Sequence, residues 1–423
     1  MRIGIIGAGY VGLVSGAGFA MRNHEVKCAD LSREKVESIN SKKSPIYEEG
    51  LEDALSRLVP SALSATTSVA EAVLESDAVF ICVGTPSKKN GAPDLSALKK
   101  CAKEIGNALA QKKDYCAVVV KSTVLPNVTE GVVLPILESA SAKKAGKDFG
   151  LCMNPEFLKE GVALKDFLGP DRIVIGCIDS RTERAMREIY SGFNAPILAM
   201  KPCDAEMTKI ASNCFLATKI SFMNELANLS KKLGVDIEAV AKGMGSDKRI
   251  APYFLKPGPG FGGSCFPKDL RALKSIAKKQ GEKMAVISAT LEANDSQPMR
   301  LVELAASKID LKNAKVGVLG LAFKPDTDDV RESPAIPVIS ALLSMAKEVN
   351  AFDPKAERNM RRIFPQANYF PSAQEAIRNS DIVLIVTDWP EFSGLDYGSK
   401  IVVDARNVFG NAKRPQNYDC LVK

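Results

Sequence analysis

The stretch Gly258-Pro259-Gly260-Phe261-Gly262-Gly263-Ser264-Cys265-Phe266-Pro267-Lys268-Asp269 crowds four glycines and two prolines around one cysteine. Glycine permits positive φ and close backbone approach, so such a run predicts a compact irregular loop that delivers a thiol to a fixed place. Lys268 and Asp269 follow three and four residues later, where a helix begins. A helix N-terminus and a nearby lysine both favour the thiolate. A free cysteine on its own is more often buried and inert. The flanking residues favour a reactive one. The chemistry would be nucleophilic attack on an electrophilic carbon.

Other residue pairs can serve that chemistry. Lys209 and Asn213 are four apart in a helical stretch and so face one way. Together they can donate hydrogen bonds to a developing oxyanion; a solvated pair on a long helix is an equally good reading. Glu156 and Glu160, in Asn154-Pro155-Glu156-Phe157-Leu158-Lys159-Glu160-Gly161, share a helix face or line one loop, as site residues or as solvated charges.

A second constellation lies at the N-terminus. A strand over Arg2–Ile6 runs into Gly7-Ala8-Gly9-Tyr10-Val11-Gly12, then a helix of small residues, then a strand over Glu25–Ala29 ending at Asp30. In a dinucleotide site the first glycine makes the turn, the second admits the pyrophosphate and the third lets helix pack on strand. Asp30 stands where a carboxylate bonds the ribose 2′-hydroxyl and repels a 2′-phosphate, which favours NAD over NADP. Strands over Asp77–Val83 and Ala117–Lys121 end in Gly84-Thr85-Pro86 and Ser122-Thr123-Val124. Ligands sit beyond the carboxyl ends of such strands, so Thr85, Ser122 and Thr123 point at the cofactor crevice. Capping a helix is their other natural task.

The elements that must position these groups follow from the pattern. A strand over Arg172–Ile175 and a helix over Thr182–Tyr190 complete the first α/β domain near Pro196. Helical periodicity runs from Asp204 to Leu233, with Met207, Ile210, Phe215 and Ile220 as its apolar side. Helices follow over Val235–Met244 and Ala285–Ser307, the latter kinked or broken at Pro298. Ala314–Leu321 opens a second α/β unit with strands over Glu348–Phe352, Asp381–Thr387 and Ile401–Asp404. Only part of the glycine fingerprint recurs there, which suits a nucleotide-sized cleft rather than a second dinucleotide site. Lys324, Arg331 and Arg406 can bind its phosphates. The expected fold class is α/β, two Rossmann-like doubly wound domains joined by a central helical domain with a long helix. The boundaries are 1–198, 199–310 and 311–423. The long helices suggest a homodimer through the central domain.

Composition bounds the alternatives. The chain of 423 residues is 46% hydrophobic and 25% charged, ordinary for a globular protein. The net charge of +7 comes from scattered lysines. It suits an anionic small molecule or a solvated surface, and no nucleic acid partner is expected. Ten irregularly spaced cysteines and one histidine, His24, argue against a metal site or a disulfide framework. Reduced thiols imply a cytoplasmic setting. No secretory segment opens the sequence, no run reaches membrane-spanning length, and no membrane partner is expected.

These motifs resemble a known family. GAGYVG, VGTP, KSTV, NPEFLKEG, MTKIASN, GFGGSCFPKD, AFKPDTDDVRES and VVDARN together, nearly end to end, are similar to the nucleotide-sugar 6-dehydrogenases, the UDP-glucose/GDP-mannose dehydrogenase family. Members acting on GDP-mannose usually carry Leu after the cysteine, so Phe266 leans to UDP-glucose. The resemblance implies four-electron oxidation of a sugar C6 alcohol to the acid, with NAD as cofactor and UDP-glucose as substrate. Cys265 looks like the nucleophile; Lys209, Asn213 and Asp269 look like its partners in oxyanion stabilisation and proton transfer. Thr123 and Glu156 resemble the residues that hold the catalytic water. Glu156, Phe157, Leu158, Lys159, Lys209, Asn213, Arg249, Phe254, Leu255, Lys256, Phe261, Gly262, Cys265, Lys324 and Arg406 resemble nucleotide-sugar contacts, Arg249 reaching in from a second subunit. Gly7, Gly9, Tyr10, Val11, Gly12, Asp30, Lys35, Thr85, Ser122, Thr123, Glu160, Lys268 and Arg331 resemble NAD contacts. Alternatives are the same chemistry on GDP-mannose or a UDP-N-acetylhexosamine, and a non-catalytic nucleotide-binding regulator.

Overall fold

A computed structural model describes residues 1–410 and 412–423. The chain divides into two compact units, Met1–Ser212 and Asn213–Lys423, and the division falls inside one continuous helix of 32 residues, Pro202–Leu233.

The first unit is built on an eight-stranded sheet. Its strands are β1 (Arg2–Ile6), β2 (Glu25–Ala29), β3 (Leu63–Thr66), β4 (Ala78–Ile81), β5 (Ala117–Val120), β6 (Gly150–Met153), β7 (Ile173–Cys177) and β8 (Ile197–Met200). Their order is β3-β2-β1-β4-β5-β6-β7-β8. The first six strands run parallel, the arrangement whose strand order reverses beside β1 and opens a crevice there. β6 and β7 pair antiparallel, and β8 lies parallel to β7. The central strands are apolar on both faces and wholly buried, because helices cover both sides. Phe19, Phe80, Phe167, Tyr190 and Phe193 pack together in its core, Phe19 edge-on to Phe167 at 5.0 Å.

The second unit carries a six-stranded, wholly parallel sheet of β9 (Lys315–Leu319), β10 (Glu348–Phe352), β11 (Asn368–Tyr369), β12 (Ile382–Ile385), β13 (Ile401–Asp404) and β14 (Asn417–Cys420). Its order, β11-β10-β9-β12-β13-β14, repeats the topology of the first six strands of the other sheet. The expected α/β class with two Rossmann-like sheets and an intervening helical stretch is therefore observed. β3, β8, β11 and β14 lacked a sequence signature because they are short, and the outer ones are polar or partly exposed.

Two helical expectations need correction. Met207 and Phe215 are 42% and 67% exposed, so they do not form a buried apolar side with Ile210. The buried stripe farther along is mostly of small residues, Asn213, Cys214, Ala217, Ser221, Asn224 and Ala227, joined by Met223, while Phe215, Phe222 and Leu229 point outward. Pro298 does not break its helix, which runs unbroken over Ala285–Ala306. The Asn294 carbonyl that Pro298 leaves without its usual donor lies beside Gly260.

Candidate active site

In the first unit the glycine turn is sterically determined. Gly7 has φ +99°, and a Cβ on Gly12 would stand 1.8 Å from the Gly7 carbonyl oxygen. A Cβ on Gly9 would meet nothing within 4 Å, so the backbone at the head of helix Tyr10–Ala20 is open to a close-approaching group. That pattern fits a pyrophosphate against free helix N–H groups. Asp30, at the end of β2, accepts from Ala8 N and Ser32 N, each at 2.9 Å, and Lys35 lies 3.7 Å from it. A carboxylate has about four acceptor positions, so it still has capacity for a ribose hydroxyl. The residues present fit NAD.

Thr85 and Ser122 do not cap helices. Thr85 Oγ1 donates to the Thr123 carbonyl at 2.7 Å, and Ser122 Oγ to the Val83 carbonyl at 2.6 Å. They stitch together the loops that leave β4 and β5 and so place Thr123. Glu206, wholly buried, accepts from Asn127 N and Thr129 N at 2.6 and 2.7 Å and anchors the far end of the Thr123 loop to the long helix. Burial pushes its carboxyl up despite these two donors.

Glu156 and Glu160 line a loop rather than a helix. Glu156 is buried, accepts from Leu158 N at 2.7 Å and pairs with Lys209 Nζ at 3.0 Å. Burial raises its carboxyl, but Lys209, the Leu158 N–H and Lys121 outweigh it, and the net direction is down. Phe157 lies under two cations, Arg172 at 3.8 Å and Lys209 at 5.4 Å from its ring centre. Lys159 turns away to Asp166 at 3.4 Å. Beneath the loop Lys121 donates to Asn154 Oδ1 at 3.0 Å, and Tyr190 donates to the same oxygen at 2.6 Å. Burial brings Lys121 down to about 8, against the opposing influence of Cys82 and Glu156.

One hub in this unit had no sequence signature. Buried Glu48 accepts from the Tyr10 hydroxyl, from Gly161 N at 2.8 Å and from Leu164 N at 3.3 Å. It joins the glycine turn, through Tyr10, to the far end of the Glu156 loop.

In the second unit Cys265 occupies the N-cap position of helix Phe266–Lys279 and is partly exposed. Ser264 Oγ lies 3.5 Å from its sulfur. One turn on, Asp269 is almost fully buried; it accepts from Asn213 Nδ2 at 2.6 Å and from Lys268 Nζ at 2.5 Å. The Lys268 ammonium, expected to favour the thiolate, is thus directed to Asp269.

Three carboxamides hold the cysteine loop. Asn224 accepts from Gly258 N at 2.8 Å, Gln297 donates to the Gly258 carbonyl at 3.0 Å, and Asn294 pairs with both backbone groups of Phe261. A Cβ on Gly262 would stand 2.2 Å from the Glu332 carbonyl oxygen, and Gly263, at φ +82°, abuts the Phe323 ring. Phe261 packs edge-on to Phe266 at 5.9 Å, with Phe254 on that ring's other neighbour contact at 6.0 Å. Buried Leu255 belongs to the core of this unit.

Lys256 and Arg406 both face Asp388, at 2.8 and 3.8 Å. Burial would raise that carboxyl, but the two cations bring it below its usual range. Lys324 stands over the Phe323 ring at 5.8 Å. Arg331 pairs with Asp329 at 2.6 Å, and Arg249, 88% exposed at its side chain, pairs with Asp247 at 2.5 Å. The position equivalent to Asp30 is Asp353, at the end of β10. It is already filled: it accepts from Leu321 N at 2.7 Å, Ala322 N at 3.0 Å, Trp389 Nε1 at 3.1 Å, and Lys355 N and Ala356 N at 2.8 Å each. Among the described residues no group of three or more His, Cys, Asp or Glu is placed to hold a metal ion. No helix among them is long and apolar enough to cross a membrane.

Comparison with known proteins matches three stretches to one family, the UDP-glucose/GDP-mannose dehydrogenases. Residues 1–194 match its NAD binding domain, 203–296 its central domain and 317–411 its UDP binding domain. A UDP-glucose 6-dehydrogenase of Haloferax volcanii is 42% identical, with 100% of each chain covered. One from Bacillus subtilis is 40% identical over 96% of this chain and 89% of its own. Among solved structures, a UDP-glucose dehydrogenase from Pyrobaculum islandicum gives a TM-score of 0.95 at 42% identity, covering 100% of this chain and 97% of that one.

Proposed function

This chain belongs to the UDP-glucose/GDP-mannose dehydrogenase family, and from that premise we propose that it oxidises UDP-glucose to UDP-glucuronate with NAD, by covalent catalysis at Cys265. The observation that carries the covalent step is the Cys265 thiol at the head of helix Phe266–Lys279, with buried Asp269 one turn behind it. When bound, NAD takes one hydride at each of two oxidations, alcohol to aldehyde and thiohemiacetal to thioester.

The residues divide the remaining work. The helix N-terminus favours an anion at Cys265. Its sulfur adds to the C6 aldehyde, the carbonyl oxygen takes a proton, and the reactive intermediate stays on the enzyme. Lys209 and Asn213 stabilise the alkoxide formed at C6. Water then attacks the thioester, releasing the carboxylate and returning the thiol. Glu156 and Thr123 orient that water. With one histidine in the chain, proton transfer falls to lysine, carboxylate and water.

Gly7, Gly9, Gly12, Tyr10 and Val11 hold the NAD pyrophosphate and Asp30 its ribose, with Lys35, Thr85, Ser122, Glu160, Lys268 and Arg331 as further contacts. Phe157 to Lys159, Phe254 to Lys256, Phe261, Gly262, Lys324 and Arg406 hold the nucleotide sugar. The three family matches support the division at 1–198, 199–310 and 311–423.

A homodimer fits the outward face of the long helix. Phe215, Phe222 and Leu229, spaced seven apart and 67%, 49% and 53% exposed, form an apolar stripe with Leu233. A second copy covers it, bringing Arg249 to the neighbouring site. A cytoplasmic setting suits an enzyme that consumes NAD and a nucleotide sugar.

The deciding experiment incubates the protein with UDP-glucose, GDP-mannose and UDP-N-acetylhexosamines and counts NADH per sugar consumed. Two NADH per UDP-glucose is expected. NADH with none of them supports a non-catalytic role instead. Cys265→Ser is expected to stall at the aldehyde level, and full turnover by that variant refutes the covalent step.

A further inference from the structure

Cys152 on β6 and Cys177 on β7 face each other across the one antiparallel junction of the first sheet, with their sulfurs 3.2 Å apart. Ile178 N donates to the Leu151 carbonyl, which makes this a non-hydrogen-bonded pair. Such pairs bring side chains closest, with Cα atoms about 4.5 Å apart, inside the range a disulfide spans. Cys152 is wholly buried and Cys177 partly exposed. The nucleotide-sugar chemistry uses neither. We propose that Cys152 and Cys177 are a modification site at which a peroxide forms an intramolecular disulfide.

The two thiols differ in access, and that sets the order of events. Peroxide reaches the sulfur of Cys177 first. That sulfur gives up two electrons, the O–O bond breaks, and Cys177 becomes a sulfenic acid with release of one water. Cys152 then attacks the sulfenic sulfur. The S–S bond forms, the S–O bond breaks, and the Cys152 proton leaves with the hydroxide as a second water. Two thiols are oxidised and one peroxide is reduced to two waters. Neighbouring strands already hold the sulfurs together, so ring closure outruns attack by a diffusing thiol. Burial, with the contact to Cys177, pushes the Cys152 thiol up and keeps it from reacting on its own.

The cross-link joins positions 25 apart in the chain and encloses the Glu156 loop and helix Ala163–Leu168. It restricts the unfolded chain, and stability rises with it.

The test treats the full protein with hydrogen peroxide, removes the oxidant and digests it with trypsin without reductant. The expected product joins peptides Asp148–Lys159 and Ile173–Arg181 and is lighter than the two together by two hydrogens. Dithiothreitol separates it. Cys265 lies on another peptide and does not enter this readout. The oxidised protein melts higher by roughly 5 °C or more. Cys177→Ser, at the more exposed position, abolishes both the linked peptide and the rise. Unlinked thiols in both peptides, a sulfinic acid on Cys177 alone, or a rise that persists in Cys177→Ser each overturn the proposal.

Discussion

The Lys209 ammonium lies 3.0 Å from the Glu156 carboxylate, with both side chains almost excluded from water. A buried pair of this kind is costly to break, because removing one partner strands the other charge at ~3–5 kcal/mol. Lys209→Ala is expected to lower kcat by roughly a hundredfold or more while NAD affinity changes little. Glu156→Gln also removes a folded-state carboxyl held below its usual range. Its stabilising contribution is complete above the unfolded pKa and is lost as pH falls through the folded one. Urea unfolding of this variant should therefore show a weaker loss of stability on acidification than the parent chain. A kcat equal to the parent's in Lys209→Ala places the lysine outside the chemistry.

Lys121 makes a prediction of the same sign at high pH. Burial holds it at about 8 against an ordinary 10.5. Between these values the unfolded chain binds the additional proton, so stability rises with pH across that window, and below it, where both states bind the proton, the dependence vanishes. Lys121→Met is expected to flatten this dependence, while Tyr190 still satisfies Asn154. Unfolding midpoints in urea between pH 7.5 and 10 measure it; an unchanged slope in Lys121→Met rules the lysine out as its source.

Glu48 ties the glycine turn to the Glu156 loop. Glu48→Gln has one acceptor oxygen for donors that now share two, so a buried donor loses its partner at a cost of about 1–3 kcal/mol. We expect KM for NAD to rise and kcat to fall together. A lower melting temperature with both constants unchanged shows that the tie serves folding alone.

The apolar stripe on the long helix predicts assembly. Phe222→Glu places a charge in its middle. Sedimentation at micromolar concentration should find a dimer for the parent chain and a monomer for this variant. A parent chain that sediments as a monomer removes the proposed interface.

The glycine turn was legible because its constraint is local: a Gly12 side chain cannot coexist with the Gly7 carbonyl. The strands around it followed from continuous apolar runs buried on both faces. The groups that hold the cysteine loop were not legible. Asn224, Asn294 and Gln297 act on backbone more than thirty positions away, and a carboxamide on a helix gives no periodic sign of what it reaches. Glu48 reaches Gly161 from a still greater distance. The long helix misled for another reason. Ile210 and Met223 apart, its buried stripe is small-sided, and Phe215, Phe222 and Leu229 face outward, against what apolar periodicity assumes.

Asp353 is claimed by the Trp389 indole and four backbone amides, so the residue equivalent to Asp30 has no acceptor position to offer a ribose. The proposed reaction, which would take two equivalents of oxidant, then has one such ribose-binding carboxylate, Asp30, among the described residues. The spent carrier must depart and a fresh one arrive while the half-converted sugar waits. Whatever fastens that sugar has to outlast the exchange, which is the task the proposed bond to Cys265 would perform.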